Sequence, residues 1–153
     1  MRSLMAAAAA AGMLAATEAA AENWQPAAAN DEMIIGVDVT SIQGDPRLRI
    51  ATVMLVFARA DPGGGDFALS AVGFDCVDHT VALISMDFYA IDGTALSTSE
   101  PDANAPGEPI EPGALFETVE GVVCEGQRYP PGSPDGLAFA AAARELLLRG
   151  LRR

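Results

Sequence analysis

Alternation of apolar and polar positions dominates the middle of the chain. From Met33 to Ile42, Ile35, Val37 and Val39 fall on one side of an extended backbone and Gly36, Asp38 and Thr40 on the other, which predicts a strand. Leu48 to Ala58 is apolar on both sides, dense in Ile, Val, Leu and Phe, and predicts a strand covered on both faces or lying centrally. Phe67 to Cys76 and Thr80 to Ala90 read as a third and fourth strand, and Thr94–Ser97 as a short fifth. Turn chemistry separates them: Gly44-Asp45-Pro46, then Asp61-Pro62-Gly63-Gly64-Gly65-Asp66, then Asp92-Gly93, which predicts a type I′ hairpin. Connections this short make the sheet largely antiparallel. Residues 22–32, Ala-rich around Trp24 and Pro26, read as an entry segment, and residues 98–113, rich in Pro, Asp and Glu, as a long loop.

The period then changes. Leu115, Val119 and Val122 recur at helical spacing and predict a short helix from Ala114 to Val123, leading into Cys124. Ser133-Pro134-Asp135 reads as a helix start, with Ser as N-cap, and the helix runs to about Arg149. Phe139, Ala143, Leu146, Leu147 and Leu151 share one side; Arg144, Glu145, Arg149, Arg152 and Arg153 share the other. The expected fold class is α+β: a single antiparallel sheet of about five to six strands packed with a C-terminal α-helix. Residues 22–134 form the sheet unit and 135–153 the amphipathic helix.

The N-terminus departs from both periods. Arg2 is followed by an apolar run from Leu4 to Ala16 and by Ala19-Ala20-Ala21, the form of an export signal with cleavage between Ala21 and Glu22. The run is too short and Ala-rich for a good membrane span, and residues 22–153 contain no apolar run long enough to cross a bilayer. No Cys near the cleavage point offers a lipid-acceptor site. The expectation is an exported protein of a Gram-negative periplasm or cell surface, with no integral membrane segment.

Charge removes several function classes. The chain of 153 residues carries nine Arg, no Lys and 21 acids, for a net charge of −12. Phosphate neutralisation is therefore not available, and nucleic acid is excluded as a partner. Charge is also segregated: residues 22–134 hold four Arg against 18 acids, and residues 135–153 four Arg against two acids. The basic helix face either docks on the acidic body, or faces outward to bind an acidic partner, or is an ordinary solvated face.

The two cysteines, Cys76 and Cys124, allow one intramolecular bridge in an exported chain. A redox pair or a metal site is the alternative, but the spacing is not Cys-x-x-Cys and a single His supplies little else. Asp75-Cys76-Val77-Asp78-His79 is the one place where catalytic residue types adjoin, as an acid–base pair, a weak metal site or a plain polar turn. Asp61 to Asp66 resembles one turn of a Gly-rich calcium repeat, which needs stacked copies, and otherwise reads as a loop. No nucleophile elbow, phosphate loop or zinc-protease motif occurs. No catalytic residue, cofactor or metal is expected.

Trp24, Asp38-Val39-Thr40-Ser41-Ile42, Val72-Gly73-Phe74-Asp75-Cys76, Phe88-Tyr89-Ala90-Ile91-Asp92-Gly93, and Glu108-Pro109-Ile110-Glu111-Pro112-Gly113 leading through Glu117 and Val119 to Val123-Cys124 follow one another in a recognisable order. Across about residues 23–125 the chain resembles the bacterial surface-adhesin protein E-like family. The resemblance implies an antiparallel sheet packed against helix, with Cys76 and Cys124 bridged. It also implies an envelope protein that works by binding a protein partner, since the adhesin that names the family binds host matrix and plasma proteins. The alternatives are a soluble periplasmic accessory protein without host contact, and a periplasmic hydrolase using acidic residues.

Overall fold

A computed structural model describes residues 21–150. The predicted export segment lies outside the described residues up to Ala20, as do Leu151, Arg152 and Arg153. Seven strands form one antiparallel sheet: β1 (Trp24–Ala29), β2 (Met33–Gly44), β3 (Leu48–Phe57), β4 (Phe67–Asp75), β5 (Thr80–Tyr89), β6 (Ala95–Ser97) and β7 (Glu108–Pro109). The first six follow one another in space as in sequence, and β7 pairs with β5. Two helices, α1 (Leu115–Cys124) and α2 (Gly136–Gly150), complete the fold. The expected antiparallel α+β architecture is what the chain adopts.

The two-sided apolar pattern of β3 sets the layering. Val53 and Leu55 point to one face, where they join Ile35, Val37, Val72 and Phe74 beneath Val119, Val122 and Val123 of α1. Met54 and Val56 point to the other, where they join Trp24 and Phe67 beneath Phe139, Ala143 and Leu147 of α2. The sheet is thus a middle layer with one helix on each face. Val53 and Val56 are fully buried although they face opposite ways. A strand that is apolar on both sides needs this arrangement, because either bare face would leave a run of branched side chains in water.

Gly36 sets how closely α2 approaches. The Phe139 ring lies directly on β2 at this position, and a Cβ there would stand 2.4 Å from two of its ring carbons. Phe139 also stacks on Trp24, with ring centroids 6.1 Å apart. Leu146, expected on the buried side, is instead 60% exposed; the buried stripe is Phe139, Ala140, Ala143 and Leu147. Of the helix arginines, Arg144 docks on the body, its Nη1 2.7 Å from Asp66 Oδ1, while Arg149 pairs with Glu145 on the helix's own surface. Of the described basic residues of α2, one thus docks on the sheet and the other stays on the helix surface.

Three local details correct the sequence reading. The entry segment is a strand: β1 pairs with β2 from Trp24 to Ala29, with a bulge between Pro26 and Ala28. Low β propensity of its Ala and Pro concealed it. Pro26 is tolerated because β1 is an outer strand, and Trp24, two residues earlier, exchanges both backbone bonds outward with Ser133. The Asp92-Gly93 turn is not type I′. Gly93 alone has positive φ (86°), its N–H donates to Ala90 O, and Ala90 N–H donates to Thr94 O, a type I turn closed by a left-handed glycine. Finally, Asp135 rather than Ser133 caps α2, its Oδ1 accepting the Ala138 N–H at 2.8 Å.

The predicted 98–113 loop also has structure. Its end forms β7 on one end of β5, and β6 covers the other. Between them Ser99 Oγ accepts the Met86 N–H and Asp102 N–H donates to Ile84 O, so the outer edge of β5 is dressed along its length. The Cys76–Cys124 bridge ties the end of β4 to the end of α1, with Cα atoms 5.6 Å apart. Arg49 Nη1 and Arg128 Nη1 donate to Val123 O and Val122 O, satisfying carbonyls that the last turn of α1 leaves open.

Gly36→Ala is expected to destabilise the protein by about 1–3 kcal/mol, the cost of overpacking a filled contact. Urea unfolding reads it, and combining the change with Phe139→Leu recovers part of the loss. Reducing the bridge, which closes a 48-residue separation, is expected to remove about 4 kcal/mol in the chain-entropy model. Calorimetry with and without reductant should show a fall in Tm of more than about 10 °C; an unchanged Tm refutes a structural role for the bridge.

Candidate binding groove

The acidic turn after β4 resolves into two separate pairings. Asp75 Oδ1 accepts the N–H groups of Val77 and Asp78, closing the turn on itself. The Arg47 guanidinium spans both aspartates, 3.1 Å from Asp75 Oδ2 and 2.6 Å from Asp78 Oδ2. His79 turns away from them. It has a φ of 51°, in the left-handed region where His is tolerated at turns, and its Nδ1 lies 2.9 Å from Glu120 Oε1 of α1. Asp78 and His79, candidates for an acid–base pair, thus serve different partners.

The local N–H donors have an electrostatic consequence. The Asp78 N–H above all, then the Val77 N–H and Arg47, holds the Asp75 carboxyl below its ordinary value, while partial desolvation opposes them. Asp75 in turn raises Arg47. Asp45, across the same end of the sheet, is lowered by the N–H groups of Leu48 and Arg47. These are the marks of a stapled turn: each charge is met by a fixed neighbour within the chain.

The Asp61–Asp66 segment is a loop, as its simpler reading has it. Asp61 Oδ1 accepts the Gly65 N–H at 2.6 Å, Asp61 N–H donates to Gly65 O, and Asp66 is taken by Arg144. Among the described residues no group of three or more His, Cys, Asp or Glu side chains is arranged to hold a metal. At the other end of the molecule Glu22 Oε2 accepts both the Trp24 indole N–H at 2.8 Å and the Gly136 N–H at 3.0 Å, joining the predicted first residue after cleavage to the start of α2.

The concave feature with a coherent chemistry is on the α1 face. α1 lies mainly over β1 and β2 and makes little contact beyond β4. Five strands at about 4.8 Å spacing span roughly 19 Å, whereas one helix covers about 10 Å. The β4–β5 half of that face therefore holds a groove of about 450 Å³, bordered by Phe116 of α1 and by Ala105 and Pro106 of the segment before β7. Leu55 and Val72 lie in it, with Leu83, Met86 and the Phe116 ring of α1 around them, and Glu108 is the single charged residue of the lining. Leu83 is 49% exposed. Ser70 lies on this same face, paired with Met86 across the strands, and its buried hydroxyl has no hydrogen-bond partner. Sequence reasoning missed the groove because α1's position over β1 and β2 is a tertiary fact; Leu83 and Met86 read simply as strand residues.

The described residues thus form a meander sheet braced by one disulfide, with a helix on each face and an apolar groove beside α1. The family model for surface-adhesin protein E matches residues 11–125, and the chain belongs to that family. The match ends just after Cys124, so α2 lies beyond it. No curated protein and no solved structure matches the chain. Membership supports an adhesin-like role at a surface. Among the described residues no helix is long and apolar enough to cross a membrane.

The depressed Asp75 carboxyl gives a pH signature. A carboxylate whose pKa is lowered on folding stabilises the native state above its unfolded value, and that contribution disappears as pH falls through the folded value. Asp75→Asn should therefore lower the urea midpoint at neutral pH, and the gap to wild type should narrow once pH falls below the ordinary 3.8. A gap that stays constant down to pH 2.5 excludes an electrostatic role for Asp75.

Proposed function

We propose that this protein is an exported envelope protein, processed between Ala21 and Glu22, that acts by binding a macromolecular partner rather than by catalysis. The observation that carries the reading is membership of the surface-adhesin protein E family, on a frame whose open half-face is apolar. The candidate catalytic neighbours Asp78 and His79 are each committed elsewhere, to Arg47 and Glu120. Cleavage before Glu22 suits the fold, because Glu22 is the residue whose carboxylate holds Trp24 and the α2 N-terminus. Cofactors and metals have no part in this reading.

Two measurements test it. Intact mass of the protein recovered from the envelope should show loss of residues 1–21 and of two hydrogens for the bridge; a full-length mass overturns the processing step. Protease shaving of intact cells, with a tag after Arg153 and a periplasmic control, decides the side of the outer membrane. Clipping while the control survives places the protein on the surface, as an adhesin requires. Clipping only after the outer membrane is opened replaces that reading with a periplasmic accessory role.

A further inference from the structure

We propose that the α1-side groove is the docking site for a basic amphipathic helix of a partner protein, which lies beside α1 and completes the layer over β4 and β5. The proposal rests on the binding role above and gives that role a place and a ligand chemistry.

Charge selects the occupant. The groove lining contains Glu108 and no basic residue. Elsewhere most of the described arginines are spent internally: Arg47 on Asp75 and Asp78, Arg49 and Arg128 on α1 carbonyls, Arg144 on Asp66, Arg149 on Glu145, while exposed Arg59 stands apart from the groove in the turn after β3. With a net charge of −12 the chain attracts a cationic partner and repels an acidic one. A second copy brings another −12 to the interface, so self-association is disfavoured. Another uncovered apolar area, around Leu48, Ile50 and Ile84, includes both Arg49 and Asp75 and has no such bias.

Shape selects the form. The outer edge of β5 is occupied by β6, β7 and the 99–102 segment, so an added strand has little free backbone to pair with. What remains is side-chain surface: Leu83, Met86 and Phe116 beside an existing helix. A helix seats apolar residues at i, i+3, i+4 and i+7 into such a groove and holds a basic residue over Glu108. Side by side with α1 at the usual separation of about 8–10 Å, it fills the width that α1 leaves.

The test is titration of a short synthetic peptide, with Leu at i, i+3, i+4 and i+7 and Lys elsewhere, into the isotopically labelled, disulfide-bonded protein. Amide shifts should concentrate at Val81, Leu83, Met86, Glu108 and Phe116, and the peptide should gain helicity. Leu83→Ser and Glu108→Arg should each weaken binding about tenfold, while Glu145→Arg on exposed α2 changes net charge equally and leaves binding unaltered. A peptide of the same composition with strictly alternating Lys and Leu should bind more weakly. Equal loss with Glu145→Arg, equal binding of the alternating peptide, or shifts centred on α2 overturns the proposal in favour of bulk electrostatics. A dimer in light scattering that Leu83→Ser dissolves, or groove shifts produced by zwitterionic lipid vesicles and not by the peptide, overturns it in favour of self-association or a membrane. If groove variants leave the peptide unaffected while shaving places the protein on the surface, the groove assignment falls and the binding role stands.

Discussion

Two-sided burial of β3 is the constraint on which the rest depends. A ten-residue strand with eight apolar side chains pointing both ways cannot lie on an outer layer, so the chain supplies a helix to each face. α1, held at its end by the Cys76–Cys124 bridge and by two arginines on its last carbonyls, covers one side. α2, seated through Phe139 on the bare backbone of Gly36 and steered by Arg144 onto Asp66, covers the other. Neither helix is wide enough to cover five strands, and the open groove beside α1 is the direct result.

The periphery shows how an acidic chain keeps such a sheet from pairing with its neighbours. β5 is dressed by two short strands and by side-chain bonds from Ser99, and β1 by Pro26, a bulge and the Ser133 bridge. The acids that remain at turns are used locally. Asp45, Asp75 and Asp92 each accept backbone N–H groups of their own turns, which is why their carboxyls sit below the ordinary range. Much of the negative charge therefore has a conformational task before it has any electrostatic one.

Local rules made the middle of the fold legible. Alternation located β2, turn-bounded apolar runs located β4, two-sided apolarity marked β3 as covered on both faces or central, and helical spacing placed α1 within a residue at each end. What escaped was decided by contacts distant in sequence. Trp24–Ala29 has poor strand propensity and becomes β1 because β2 offers it a ladder. Leu146 fits the apolar stripe by spacing, yet the face of α2 that meets the sheet buries Ala140 in its place. Asp92-Gly93 marked its turn correctly, but only Gly93 takes the left-handed conformation, so the turn type followed the strand register. The groove was illegible for the same reason: it is an uncovered area, and cover is a property of the assembled layers.

The meander itself bears on the order in which the molecule assembles. Each long strand pairs with the next in sequence, so the sheet closes through hairpins whose loops are short and whose entropic cost is low. The Trp24–Ser133 bridge and the Glu22–Gly136 bond are of another kind, joining residues at opposite ends of the described chain. Contacts that span so much sequence carry a larger loop-closure cost than the hairpins do. The seam between the first strand and the last helix therefore closes on a sheet whose other strands pair locally, and it joins the two ends of the described chain.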